Sequence, residues 1–570
     1  MYIRVTATPN SPRKSVKVVA SIREGLKVRQ VMILHVGVAA DEHEIEKLKQ
    51  LGREFIAREQ IRRDKESQQG SLFESDSPEE RLRHIEGLAK LKREKIAASK
   101  RKPRLQDVPT QDLVSLSELS EEQRVVEGIH EVAGHVYGQL GYSNLLPRLK
   151  DQELLKDLVL MRLAEPSSKH MAQQILHKRF NRTHDLDAIY RLMDKIYTKI
   201  DDIKLATFKR TKEIIPKVID ILFFDCTTLY FESTETDELR KFGYSKDHRF
   251  NTTQVVLALA TNSDGLPVGY ELFEGNKAEV KTLLSCLESW KKNFDIGTVC
   301  FVADRAMMSD DNLKALEDQK YSYVVAAKLR SMPNALKTEI LLEKNYKAIS
   351  FGEYFGWVGE FDYKSRRMIV SYKTDRARRD AHQRYQVVEK IQKRLAATSD
   401  TQRLITNHGV KRYTKSEDSK TIIDQGKIDE DAKWDGIHGI ISNIKEESAV
   451  ALLARYSRLW KIEESFRINK HTLSMRPIYH FKPERIKAHI AICYMAYSVL
   501  RNMEYVVKVT QKISLETMLD ELIHVQASIY RHMPTGRLYR VPGKFTHNAT
   551  KIYRAFQLQR KHIAQEIIQN

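Results

Sequence analysis

The chain has 570 residues, 30% of them charged and 41% apolar, a composition that supplies a core and excludes a collagen-like or wholly disordered chain. Lys and Arg number 96 against 76 Asp and Glu, a net charge of +20, which favours a polyanionic partner, nucleic acid first and an anionic membrane surface second. At roughly 100–200 residues per domain, three to five structural units are expected.

The opening residues MYIRVTATPNSPRKS lack the apolar core of a signal peptide. Residues 1–40 read as a small β-meander, in which YIRVTAT, SVKVVASIRE and VRQVMILHV are separated by turn residues. Its own core is meagre, so it needs something to pack on. Residues 41–104 change to dense charge at helical spacing, interrupted by the loop QQGSLFESDSP, and form a charged helical linker or a direct DNA contact. Residues 105–215 are mostly helical, with segments at Leu154–Leu163, Ser168–Phe180 and Leu186–Ile200. Short helices around the polar turn NRTHD suit a helix-turn-helix DNA reader, and equally an ordinary helical bundle.

From 216 to 329 the period changes again. VIDILFF is apolar except for Asp220, the pattern of a buried central strand. VVLALAT and LPVGYELF follow as strands joined by the hairpin turn Asn262-Ser263-Asp264-Gly265. A helix at 279–290, a strand at 298–303, a helix at 309–318 and a strand at 321–327 complete a β-β-β-α-β-α-β order. Three antiparallel strands followed by parallel β-α units is the layout of a ribonuclease-H-like core. Residues 330–448 read as a β-rich insertion containing a charged helix, 449–502 as amphipathic helix completing the core, and 503–570 as a helical, basic C-terminal region. Its apolar stripe, Leu515 to Ile529, is a candidate assembly element. The apolar stretch Ile486–Leu500 is too short to span a bilayer and carries Lys487 and His489. Cys226, Cys286, Cys300 and Cys493 have no CxxC spacing, which argues against a zinc ribbon and for buried thiols in a reducing, cytoplasmic compartment.

Two aspartates stand where chemistry collects in an α/β sheet, Asp225 directly after VIDILFF and Asp304 directly after TVCFVA. If the strands are neighbours, the carboxylates can converge. Hard divalent cations take oxygen ligands, typically one or two carboxylates plus substrate phosphates. A third carboxylate is available in YSRLWKIEESFRINK, where Glu463 lies beside apolar Leu459, Ile462 and Phe466, and where Tyr456, Arg467 and Lys470 fall on nearly the same side of one helix. An ordinary amphipathic helix with snorkelling charges would read the same way.

FDCTTLYFES, FVADRAMMS and YSRLWKIEESFRINK together resemble the DDE transposases of bacterial insertion sequences, most nearly the IS4-like group and its IS1634-type relatives. That group shares a signature of Tyr, two residues, Arg, three residues, Glu, six residues, Lys. Tyr456, Glu463 and Lys470 fit it, but Leu459 occupies the Arg position, leaving Arg458 and Arg467 as the candidate phosphate contacts. The resemblance implies a catalytic triad of Asp225, Asp304 and Glu463 holding two Mg²⁺ or Mn²⁺ ions. It also implies metal-dependent hydrolysis at transposon ends with terminal inverted repeats, strand transfer into target DNA, and a homodimer on double-stranded DNA in the cytoplasm or nucleoid, with no membrane partner. Some members of the group pass through a DNA hairpin with a base flipped against an aromatic ring, and Trp434 lies at about the interval before Glu463 expected of such a stacker. The competing readings are a ribonuclease-H-like nuclease without strand transfer and a DNA-binding regulator that has lost catalysis. A glycosidase leaves the charge and the basic helix around Glu463 unexplained.

Overall fold

The computed structural model describes residues 2–7, 14–24, 27–39, 41–42, 44–46, 48–50, 52–53, 55–56, 114–214, 221–243, 251–277, 282–283, 285–286, 288–290, 300–304, 309–351, 354–397, 412–417, 420–511, 513–560 and 562–567. Most of the charged helical linker expected at 41–104 lies outside them. The fold is mixed α/β and divides into two compact units. One comprises Met1–Ser117, Thr338–Gly359 and Val370–Ile437; the other comprises Glu118–Lys337, Glu360–Ile369 and His438–Asn570.

In the first unit, strands Tyr2–Ala7, Lys14–Glu24 and Lys27–Ala39 pair antiparallel in chain order. Val16, Val18 and Val36 are buried with Ile45 and Leu48 of the following helical residues, and Ala348 and Trp357 pack against them. That covers the apolar face which a three-stranded sheet would otherwise leave open. The helix Thr374–Ala397 lays Val387, Val388, Ile391 and Leu395 against Tyr413, Ile423 and Ile428, the last three from the hairpin Thr414–Glu417/Lys420–Ile423 and its surroundings.

The second unit is built on a mixed sheet. Its order begins Pro267–Glu274, Gln254–Thr261, Ile221–Tyr230, Cys300–Ala303, Ser322–Ala326, Ile437–Ser442. The first three strands are antiparallel, and Ile221–Tyr230, Cys300–Ala303 and Ser322–Ala326 are parallel to one another. Every residue of Gln254–Thr261 is buried, which accounts for its unbroken apolar run. Ile437–Ser442, read from sequence as part of the insertion, pairs antiparallel with Ser322–Ala326. GIHGIISN is β-branched and apolar in either location, so composition did not distinguish them.

The helix Pro483–Thr510 runs through the middle of this unit, with Pro at its start, where a missing N–H costs nothing. It is apolar on nearly all sides and packs against Leu149–Ala164, Leu186–Tyr197 and Ile200–Ile214. No described helix is long and apolar enough to cross a membrane. The four cysteines are buried and none forms a disulfide.

The C-terminal region departs from the helical reading. The helix ends at His524, and Gln526–His532 and Leu538–Pro542 form a four-stranded antiparallel sheet with Gln565–Ile567 and Leu119–Val126. The period switches from helical to two at QASIYRH, where Ala527 and Ile529 alternate into the core. The helical stripe Leu515, Met518, Leu519 and Leu522 is buried by the chain's own residues, so it offers no open apolar face to a second copy.

Asp157 is buried between His130 Nε2 at 3.0 Å and His184 Nε2 at 2.7 Å. Burial alone would raise its pKa, but hydrogen bonds from His130 and His184 hold it well below the usual carboxylate range. Because the folded value lies below the unfolded one, this stabilisation is full above about pH 4 and is lost as pH falls through the folded value. Asp157→Ala should therefore cost about 3 kcal/mol at pH 7, since two buried hydrogen bonds to a charged acceptor are lost. Denaturant unfolding should show that gap narrowing below about pH 4; a gap independent of pH would overturn this account.

Candidate active site at the carboxylate rim

The strand Ile221–Tyr230 does not stop at Asp225, as the sequence pattern implied. The β-branched and aromatic residues of TTLY continue it, paired with Gln254–Thr261 through Asp225↔Leu259 and onwards. Its parallel neighbour ends earlier. The ladder with Cys300–Ala303 closes on Phe224↔Ala303, so Asp225 and Asp304 are the next residue on each side. Neighbouring strands lie about 4.7–4.9 Å apart, and the register therefore places these two aspartates side by side at the rim. Asp304 is exposed and Asp225 half-buried, with Cys226 N donating to Asp225 Oδ1 at 2.7 Å.

Glu463 stands on a helix, Trp460–Arg467, that packs on Ile221–Tyr230 and Gln254–Thr261. Ile462, Ser465 and Phe466 are its buried residues, and Glu463 is exposed. Three contacts fix the helix. Lys461 Nζ donates to Ser263 O at 2.6 Å, Tyr497 OH to Ser465 Oγ at 2.7 Å, and Arg501 Nη1 lies 3.3 Å from Glu464 Oε2. Arg501 also donates Nε to Gly265 O at 3.0 Å and pairs with Glu504 at 2.5 Å. Glu464 is thus held in an ion-pair network, while Glu463 has no hydrogen bond or ion pair to another described residue. Burial lowers the Lys461 pKa against the pull of Asp264, with Arg458 and Arg501 adding to the lowering.

The single helix expected to carry Tyr456, Glu463 and Lys470 is instead three segments. Ala449–Ser457 ends in a tight turn, with Arg458 N bonded to Arg455 O and Leu459 N to Tyr456 O. Trp460–Arg467 follows, and a π-helical turn covers Ile468–Thr472. A spacing of seven therefore no longer means one face, because 3₁₀ and π turns advance by different angles from an α-helix. Tyr456 packs its ring on His438 with centroids 5.0 Å apart, Arg458 is exposed at the bend, Arg467 is exposed 3.6 Å from Glu464, and Lys470 is half-buried in the π turn. Trp434, in the first unit, is only 8% exposed, so its ring offers little surface to a flipped base. Sequence reading passed over Arg501, Lys461 and Gly265, which fix the Glu463 helix, and the half-exposed Trp460 upon it.

Among the described residues no group of three His, Cys, Asp or Glu side chains is gathered closely enough to form a ready metal cage. The donor set nonetheless suits a hard divalent cation. Two carboxylates in neighbouring register and a third on a helix packed against the same strand are all oxygen donors, and such ions draw remaining ligands from substrate phosphate.

Residues 216–499 match the family model described as the transposase DDE domain. No curated protein matches the chain. Among solved structures it is similar to a piggyBac transposase synaptic complex with hairpin DNA, at 10% sequence identity and a TM-score of 0.37, over 70% of this chain and 77% of that one.

Proposed function

We propose that this protein is a DNA transposase of an insertion sequence, of the IS4-like group and IS1634 type, in which Asp225, Asp304 and Glu463 form the catalytic set. The observation that carries the reading is the register placing Asp225 beside Asp304 within a segment that matches the transposase DDE domain. The antiparallel triplet followed by two parallel strands supports a ribonuclease-H-like core. The three carboxylates would hold two Mg²⁺ or Mn²⁺ ions, whose chemistry is to activate the attacking oxygen and stabilise the leaving one. The chain's own contribution is positional: the sheet sets the spacing of the aspartates, and the Lys461, Ser465 and Arg501 contacts set the helix that brings Glu463.

The reaction proceeds in two balanced steps. Water attacks phosphorus at each element end, the P–O3′ bond breaks, and the departing oxygen takes a proton to become a 3′-OH. That 3′-OH attacks a target phosphodiester, forming a new P–O3′ bond as the target's own P–O3′ bond breaks. Double-stranded DNA with terminal inverted repeats is the substrate and a dimer on DNA the working assembly, in the bacterial cytoplasm. The test is a cleavage-and-joining assay with labelled end duplexes and Mg²⁺ or Mn²⁺. Cleaved and joined products are expected; cleavage without joining would instead identify a nuclease, and neither product would overturn the enzyme reading.

Arg458, Arg467, Lys470 and Tyr456 are proposed as backbone contacts around this set, with Trp434 as a stacking residue only if its turn opens on DNA. Neutralised phosphates release counterions, so binding should fall steeply with salt. Lys470→Ala should reduce the log–log salt slope by about one and weaken binding to all sequences alike. An unchanged slope in fluorescence-anisotropy titrations would remove Lys470 from the phosphate contacts.

A further inference from the structure

Away from the carboxylate rim, a cleft of about 450 Å³ opens at the start of the helix Lys169–Phe180, lined among others by Ser167, Lys169, His170, Tyr190, Tyr479 and His480. Lys169 is 5% exposed, and no described residue gives it a hydrogen bond or an ion pair. No carboxylate lines the cleft. The other buried cation nearby, Arg162, points the same electrostatic way and donates to Ser474 O at 3.2 Å. Burial, with Arg162 beside it, pushes the Lys169 pKa down to about 7.

Buried charges are ordinarily paired, because desolvation is costly. A buried lysine without an acidic partner, lining an open cleft, is a charge waiting for an external anion. The helix start adds more. Ser168 accepts from Met171 N at 3.2 Å through its hydroxyl and from Ala172 N at 2.8 Å through its carbonyl, which leaves the Lys169 and His170 amides without intrahelical acceptors. Helix amides and an ammonium at one cavity are a donor set suited to a phosphate. Tyr479, 62% exposed, stands at the mouth, and His480 packs edge-on to Tyr190 with centroids 6.3 Å apart.

We propose that this cleft binds a phosphate, and that its occupant is one phosphodiester of the DNA backbone, held by Lys169 and the first amides of the helix. The choice of DNA as the source of the phosphate rests on the transposase reading; the phosphate site itself does not.

The test uses the full chain and its Lys169→Met and Lys169→Gln variants. Thermal unfolding is followed with and without inorganic pyrophosphate, and binding of a duplex by fluorescence anisotropy across a salt series. Both variants should melt at or above the wild-type temperature, since each removes an unpaired buried charge. Pyrophosphate should raise the melting temperature of wild type and of neither variant. The variants should bind duplex roughly tenfold more weakly, with a salt slope lower by about one. Variants that melt well below wild type would show that Lys169 is paired within the fold, and would overturn the proposal. Wild-type affinity and slope in both variants would overturn the DNA assignment, and a pyrophosphate shift that survives in them would overturn the site. Because the pyrophosphate arm needs no DNA and no cleavage, its result stands apart from any failure of the transposase reading.

Discussion

Asp225→Ala, Asp304→Ala and Glu463→Ala should each abolish cleavage of end DNA while leaving duplex affinity within about twofold. Residues that only support a metal ligand cost roughly 10–100-fold when removed, so loss of a ligand itself should exceed that range. Binding should persist because affinity for DNA comes mainly from Lys and Arg on phosphate rather than from three acids. The conservative variant Asp304→Asn is the sharper experiment. Asp304 is exposed just beyond the last ladder pair, so its replacement should leave the fold intact, as circular dichroism and the melting temperature can verify. Chelation of divalent cations should produce the same phenotype in the wild-type chain. Cleavage at wild-type rate by any one variant would exclude that residue from the catalytic set. Glu464→Ala makes a different prediction: its carboxylate holds the Glu463 helix through Arg501, so that variant should lower cleavage by roughly 10–100-fold rather than abolish it.

The aspartate pair was legible in the sequence because apolar strands announce themselves and polar residues at their margins stand out. The reading of strand ends was nonetheless incomplete. Asp225 lies within its strand, and it sits at the rim only because the neighbouring strand stops at Ala303, a relation between two chain segments that no local pattern contains. The Glu463 helix was visible through its apolar spacing, whereas its division into three segments was not. The tight turn at Arg458 and the π turn at Ile468–Thr472 occur with no Pro or Gly in that stretch to announce them. The C-terminal sheet was missed for a related reason. Leu119–Val126 has the sequence LSEEQRVV, too polar to read as a strand alone, and it pairs with residues some four hundred positions later. Lys169 was hidden in plain view, since a lysine at the start of a helix looks like a surface residue until the surrounding elements close over it.

Gly265→Ala should lower cleavage by roughly 10–100-fold, the range for losing the support of a ligand, even though Gly265 carries no functional group. The residue closes the turn between Gln254–Thr261 and Pro267–Glu274, with φ at +81°, and its amide donates to Asn262 O at 3.0 Å. A side chain is strained at that φ, and a β-carbon there would lie 2.1 Å from Arg501 Nη2. The guanidinium would have to withdraw from the Gly265 carbonyl, and with it from Glu464. The same turn carries Ser263, whose carbonyl receives Lys461. Two of the three contacts that fix the Glu463 helix therefore pass through one hairpin. A shift of the turn should displace Glu463 relative to the aspartates without touching any of them. If the defect is positional, cleavage by the Gly265→Ala and Arg501→Lys variants should recover in part as Mn²⁺ is raised, because a loosened ligand set weakens cation affinity. General destabilisation would show no such recovery. Cleavage at the wild-type rate in Gly265→Ala, with the variant folded, would show that this hairpin does not position the Glu463 helix.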